Sequence, residues 1–287
     1  MSDEPDFELH RGSRSDGGEH PLDLEPPRRA AGVWIAAAVV VIAAGAAGYL
    51  AFFWRQPAAP ARTATPAAAV AATSASPPLG GTGAAITLPP LDASDSLVRT
   101  LVQALTESPA VMAWLPTTGL IRNFTVVVSN IAEGATPAKQ LKILKPPAAF
   151  RIAPRDGGPS TDPRSYDRYN TIADAVGSID AGGAARLYAT LKPRIEDAQR
   201  DLGTPEPFDR TLERAIVALL NTPAIDGSER LKTKGIGYGY ADDRLETATA
   251  AQKQLLRMGP RNERVIKAKL RDIALALGIP ASHLPTP

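Results

Sequence analysis

Apolar side chains fall along these 287 residues in three regimes. Residues 1–29 scatter them singly among acids, Gly and Pro. Ala30–Trp54 is apolar without one charged residue, and beyond Leu88 apolar positions recur at helical spacing. In that last regime Leu97, Val98, Leu101, Val102 and Leu105 share a face, behind Asp92 or Ser94 as a cap. Ser108-Pro109 predicts the start of a short helix carrying Val111, Met112, Trp114 and Leu115. Leu120, Ile121, Phe124, Val127, Val128 and Ile131 keep the helical period, although Val126-Val127-Val128 alone would favour strand. Further helices are predicted around Tyr169–Ile179, from the Asp180 cap to the Gly203 stop with a kink at Pro193, and from Phe208 to Leu220. Two more close the pattern, Asp243–Met258 and Pro260–Leu277, with Gly278 and Pro280 as stop signals.

Strand patterns are few. Phe150–Ala153 is a short apolar run punctuated by Pro146-Pro147 and Asp156-Gly157-Gly158-Pro159. Leu231–Tyr240 reads as a single strand, with Ile236, Tyr238 and Tyr240 alternating with Gly235, Gly237 and Gly239. The bare face invites close approach by a helix, another backbone or a ligand. The expected fold is α+β and mainly α. It has six to eight helices around a small antiparallel sheet made from Phe150–Ala153 and Leu231–Tyr240.

Ala30–Trp54 predicts a single transmembrane helix. Its 25 residues lie between Arg28-Arg29 and Arg55 and would span roughly 37 Å as a helix, enough for a ~30 Å hydrocarbon core. A signal peptide has a much shorter apolar core behind a brief basic start, whereas this stretch follows a 29-residue tail. Arg11, Arg14, Arg28 and Arg29 precede it and only Arg55 and Arg62 closely follow. The positive-inside rule therefore sets the N-terminus in the cytoplasm and the C-terminal domain on the far side of the membrane. The expected organisation is an acidic disordered tail over 1–29, the span over 30–54, an Ala/Pro-rich tether over 55–87 and a globular domain over 88–287. As a flexible coil that tether would reach ~30 Å.

Charge changes this picture little. Residues 1–29 carry eight acids against four Arg, and residues 88–287 carry 26 Lys and Arg against 22 Asp and Glu. So small a surplus implies no nucleic-acid partner. The chain has no Cys, which rules out a disulfide framework, a thiol nucleophile and thiolate metal ligands. Of three His, only His283 lies beyond the tether. No GxSxG elbow and no phosphate-binding Gly loop accompany it. No catalytic residue, metal ligand or cofactor is therefore assigned. Paired carboxylates leave no fixed spacing, so an Asp/Glu glycan-processing enzyme drawing on Asp242, Asp243 or Glu246 stays open as the alternative.

Two groups are candidate ligand-binding residues. Glu246, Lys253 and Arg257 fall within about 40° of one another on a continuous helix, a polar ridge suited to an anionic or carbohydrate ligand. Tyr166, Asp167 and Arg168 concentrate aromatic and charged groups at a helix start, where rings could stack on a sugar. Arg264, Lys267 and Arg271 make a further stripe on the last helix. The plainer and commoner reading of each is a solvated or salt-bridged face, with the tyrosines in the core.

The run Tyr240-Ala241-Asp242-Asp243-Arg244-Leu245-Glu246, followed by Ala251–Asn262, resembles the C-terminal signature of a bacterial family known as domain of unknown function 3014. Leu88–Asp95 and Ser165–Tyr169 fit the same pattern, as does the order of tail, span, tether and domain, so the resemblance covers roughly Leu88 to Leu277. Ile236–Tyr240 departs from it in being richer in Gly. The resemblance implies an envelope protein anchored in the inner membrane and brings no site residues. The expected function is a non-enzymatic binding or scaffold module, with an envelope protein or glycan as partner.

Overall fold

The computed structural model describes residues 78–286, apart from 104–105, 107, 138–139, 141–144, 147, 156 and 236. The tail, Ala30–Trp54 and most of the tether lie outside the described residues. Among those described, no helix is long and apolar enough to cross a membrane. The described part is mainly helical with small antiparallel hairpins, an α+β arrangement.

The helices are α1 (Asp95–Gln103), α2 (Pro109–Trp114), α3 (Leu120–Ala132), α4 (Arg164–Asp167), α5 (Asn170–Gly177), α6 (Ala181–Asp201), α7 (Phe208–Leu220), α8 (Asp243–Glu246), α9 (Ala250–Leu256) and α10 (Pro260–Leu277). The strands are β1 (Ile152–Arg155), β2 (Gly158–Thr161), β3 (Leu231–Lys234) and β4 (Gly237–Tyr240). The main core lies where α3 meets α6 and α7 and where α10 covers α5, α6 and α7. Phe208 anchors it, its ring centroid 5.6 Å from that of Phe124 and 6.3 Å from that of Tyr188.

Helix ends follow local chemistry. Asp180 caps α6 by accepting from the N–H groups of Gly182 and Gly183, each at 3.1 Å. α6 runs unbroken through Pro193 and ends before Gly203, whose φ of +77° needs no Cβ. The amides opening α3 are satisfied from a distance: Asp95 of α1 accepts from Gly119 N–H at 2.7 Å and Leu120 N–H at 2.8 Å. Residues 79–84, tether-like in composition, lie along α6. A Cβ on Gly83 would come 2.6 Å from the Ala189 backbone, and Leu79 N–H donates to Asp209, which also accepts from Tyr188 Oη at 2.5 Å.

Three expectations are corrected. Leu231–Tyr240 is not one strand but a hairpin, because Gly235 at φ +57° turns the chain between β3 and β4. Its partner is not Phe150–Ala153: β1 pairs with β2, and the two hairpins touch through a single antiparallel bridge, Ser160 to Arg230. The penultimate helix is likewise two helices. Residues 247–249 separate α8 from α9, and Thr249 restarts the helix with a capping box, its Oγ1 accepting from Gln252 N–H at 3.2 Å while Gln252 Oε1 accepts from Thr249 N–H at 3.1 Å.

Candidate functional site at the hairpin–helix junction

The β3–β4 hairpin turns Leu231 and Tyr240 inward. With Ile225, Leu245 and Leu256 they form a second, smaller apolar cluster. Leu245 is buried on α8, whose start is capped by Asp242 accepting from Arg244 N–H at 2.8 Å. So short a helix, pinned at Leu245, folds Glu246 back onto β4. Its Oε2 accepts from Tyr240 N–H at 3.0 Å, and its Oε1 bonds Lys234 Nζ and stands 3.7 Å from Lys253 Nζ. Gly239 makes room, since a Cβ there would lie 3.0 Å from Oε2. Lys234 beside the carboxyl, helped by the Tyr240 amide, holds Glu246 below the usual carboxylate range.

The expected ridge of Glu246, Lys253 and Arg257 rested on a continuous helix that does not exist. Glu246 and Lys253 meet all the same, because the break at 247–249 folds one back toward the other. Arg257 is exposed at the end of α9, and its charge favours the ionised forms of both Tyr169 and Tyr240.

The second predicted group comes to the same place. Tyr166, on α4, lies against Gly259 so closely that a Cβ there would meet the ring at 2.4 Å, and burial pushes its hydroxyl pKa up. Arg168 donates to Ala148 O at 3.0 Å and lies between two rings, 4.9 Å from the Tyr169 centroid and 5.7 Å from that of Phe150. Asp167 is exposed and accepts from Asn170 Nδ2 at 3.4 Å. Tyr240 joins the groups, since its acidity is raised or lowered by both Tyr166 and Arg257. Most of these side chains are engaged in holding the junction together. Asp167 and Arg257 are the exposed members of the two groups.

Pattern reading missed Lys234 and Tyr240, which hold Glu246, and a third member. Glu263, in the first turn of α10, is 2 % exposed; it sits 3.3 Å from Lys267 Nζ, with the Ile225 backbone beside its carboxyl. Burial raises its pKa. Its only sequence signal is an acid near a helix N-terminus, which is ordinary. Lys267 also donates to Thr222 O at 2.7 Å, and Arg271 bonds Pro285 O, so two residues of the expected Arg264, Lys267 and Arg271 stripe tie the fold together. Asp242 is a cap and Asp243 pairs with Lys232 at 3.4 Å. Among the described residues no group of three or more His, Asp or Glu converges as a metal site would.

The family model described as "Protein of unknown function (DUF3014)" matches residues 120–274. The chain belongs to the DUF3014 family. No curated protein and no solved structure matches it. The matched segment includes the Tyr240–Glu246 and Ala251–Asn262 runs and leaves out Leu88–Asp95. In this DUF3014 chain those runs are a junction built of structural contacts. Leu245 fills the small core, Glu246 ties α8 to β4, and Gly259 admits Tyr166. Asn262 Nδ2 then joins Met258 O at 2.9 Å to Tyr166 O at 3.1 Å.

Proposed function

We propose that this DUF3014 protein is a non-enzymatic binding or scaffold module of the bacterial cell envelope. Ala30–Trp54 holds it in the inner membrane, and its folded domain lies on the periplasmic side. The observation that carries this reading is the 25-residue uncharged stretch bracketed by Arg28-Arg29 and Arg55. The junction adds support, since Glu246, held by Tyr240, Lys234 and Lys253, fixes α8 against the hairpin beside the exposed Asp167. That combination suits a rigid surface that docks a partner.

Photo-crosslinking in intact cells tests this. Crosslinkers placed at Asp167 and at Arg257 should capture one and the same envelope component, and a crosslinker at exposed Leu202 should not. Different products from the two junction sites, or none, would count against a docking surface there. A reporter active only in the periplasm, fused after Pro287, should be active, and an inactive fusion would reverse the orientation.

A further inference from the structure

We infer that the basic end of the two hairpins, formed by Arg155, Arg230, Lys232 and Lys234, is a contact surface for the anionic phospholipid headgroups of the membrane that carries the chain; this rests on the anchoring reading above. β2 and β3 are antiparallel neighbours through the Ser160–Arg230 bridge, which places the Arg155–Gly158 and Lys234–Gly237 pairs at one end of the layer. Four exposed cations gather there: Arg155, Arg230, Lys232 and Lys234. The Arg230 side chain lies against the first turn, where a Cβ on Gly157 would come 2.9 Å from its Nη1. Gly158 and Gly237 leave the backbone bare beside them.

Charge at this end is only partly compensated. Lys232 pairs with Asp243 and Lys234 with Glu246, whereas neither the Arg155 nor the Arg230 guanidinium has an ion-pair partner among the described residues. Asp156 lies outside them. Guanidinium groups bind phosphate with a planar fork of donors, and Tyr238, 43 % exposed on β4, is the side-chain type that settles at headgroup depth. Reach is sufficient, because the 23 residues of 55–77 extend up to roughly 70 Å at about 3.1 Å per residue. A domain of this size has a radius of gyration of roughly 16 Å, so the chain can bring any face to the bilayer.

The test uses the full chain in lipid nanodiscs. Because the sequence has no Cys, Thr233→Cys on β3 gives a unique site for a polarity-sensitive fluorophore. In discs of phosphatidylcholine with phosphatidylglycerol the emission should shift to the blue; in phosphatidylcholine alone, or at 1 M salt where the Debye length is about 3 Å, it should not. Each cation near an anionic surface strengthens contact about fivefold, so R155E/R230E should lower the ratio of docked to undocked domain by at least roughly 25-fold, while R155K/R230K keeps it. Equal emission in the two lipids, or an undiminished shift in R155E/R230E, would overturn the inference. So would a response on neutral discs to inorganic phosphate alone, which would mark a site for a soluble anion. A chain that never enters the discs would instead overturn the anchoring reading, and the inference with it.

Discussion

At the residue scale, the junction depends on carboxylates with opposite tendencies. Glu246 is held below its ordinary pKa, so its ionised form adds stability above the usual carboxylate range and loses it as pH falls through the lowered value. The stability difference between wild type and Glu246→Gln should therefore be largest near neutrality and shrink in acid; denaturant titrations at several pH values would read it. Glu263 carries the other sign, its pKa raised by burial. Wild type should thus lose stability relative to Glu263→Gln as pH rises above about 4.5. A pH-independent difference would mean that Glu263 titrates normally. Gly259 combines φ +88° with contact against Tyr166, so Gly259→Ala meets both strain and overlap. A loss of about 2 kcal/mol or more is expected, visible as a fall in Tm of several degrees.

At the element scale, burial decides where local preference is divided. Three successive valines in α3 cost about 1–2 kcal/mol of helix propensity, while burying Leu120, Ile121, Phe124, Val127, Val128 and Ile131 gains roughly 10 kcal/mol. Helix therefore wins. Where no such stripe exists, end chemistry decides. Asp95→Ala would leave the Gly119 and Leu120 amides without their acceptor and should cost about 1–2 kcal/mol, with faster hydrogen exchange at both. Thr249→Ala removes half the capping box of α9 and should cost about 1 kcal/mol, read as a lowered denaturation midpoint. The break that Thr249 caps explains why a helical wheel over Asp243–Met258 misplaced Glu246. The period of Leu245 and Leu255 fits one helix or two, and only the capping box distinguishes them.

At the scale of the whole molecule, the domain works from wherever the chain attaches it. If Ala30–Trp54 serves as an anchor alone, exchanging it for an unrelated span of equal length should leave function intact in a complementation assay. Loss of function would assign the span a partner of its own.

The amino-acid sequence determined the helical body directly: α3, α6, α7 and α10 lie where apolar period, Asp180, Gly203 and Gly278 put them, because each signal acts within a few residues of its effect. Part of the candidate site was legible too, in the clustering of Tyr166–Arg168 and Glu246–Arg257. Tertiary structure decided the rest. Gly235, at φ +57°, splits an alternation that reads equally as one strand. The carboxylate of Glu246 acquires its partners from β3, β4 and α9, and Glu263 is buried only when the polypeptide from Thr222 to Glu229 closes over α10. Local propensity depends on neighbours in sequence, whereas charge pairing and desolvation depend on neighbours in space, and those exist only once the chain has folded.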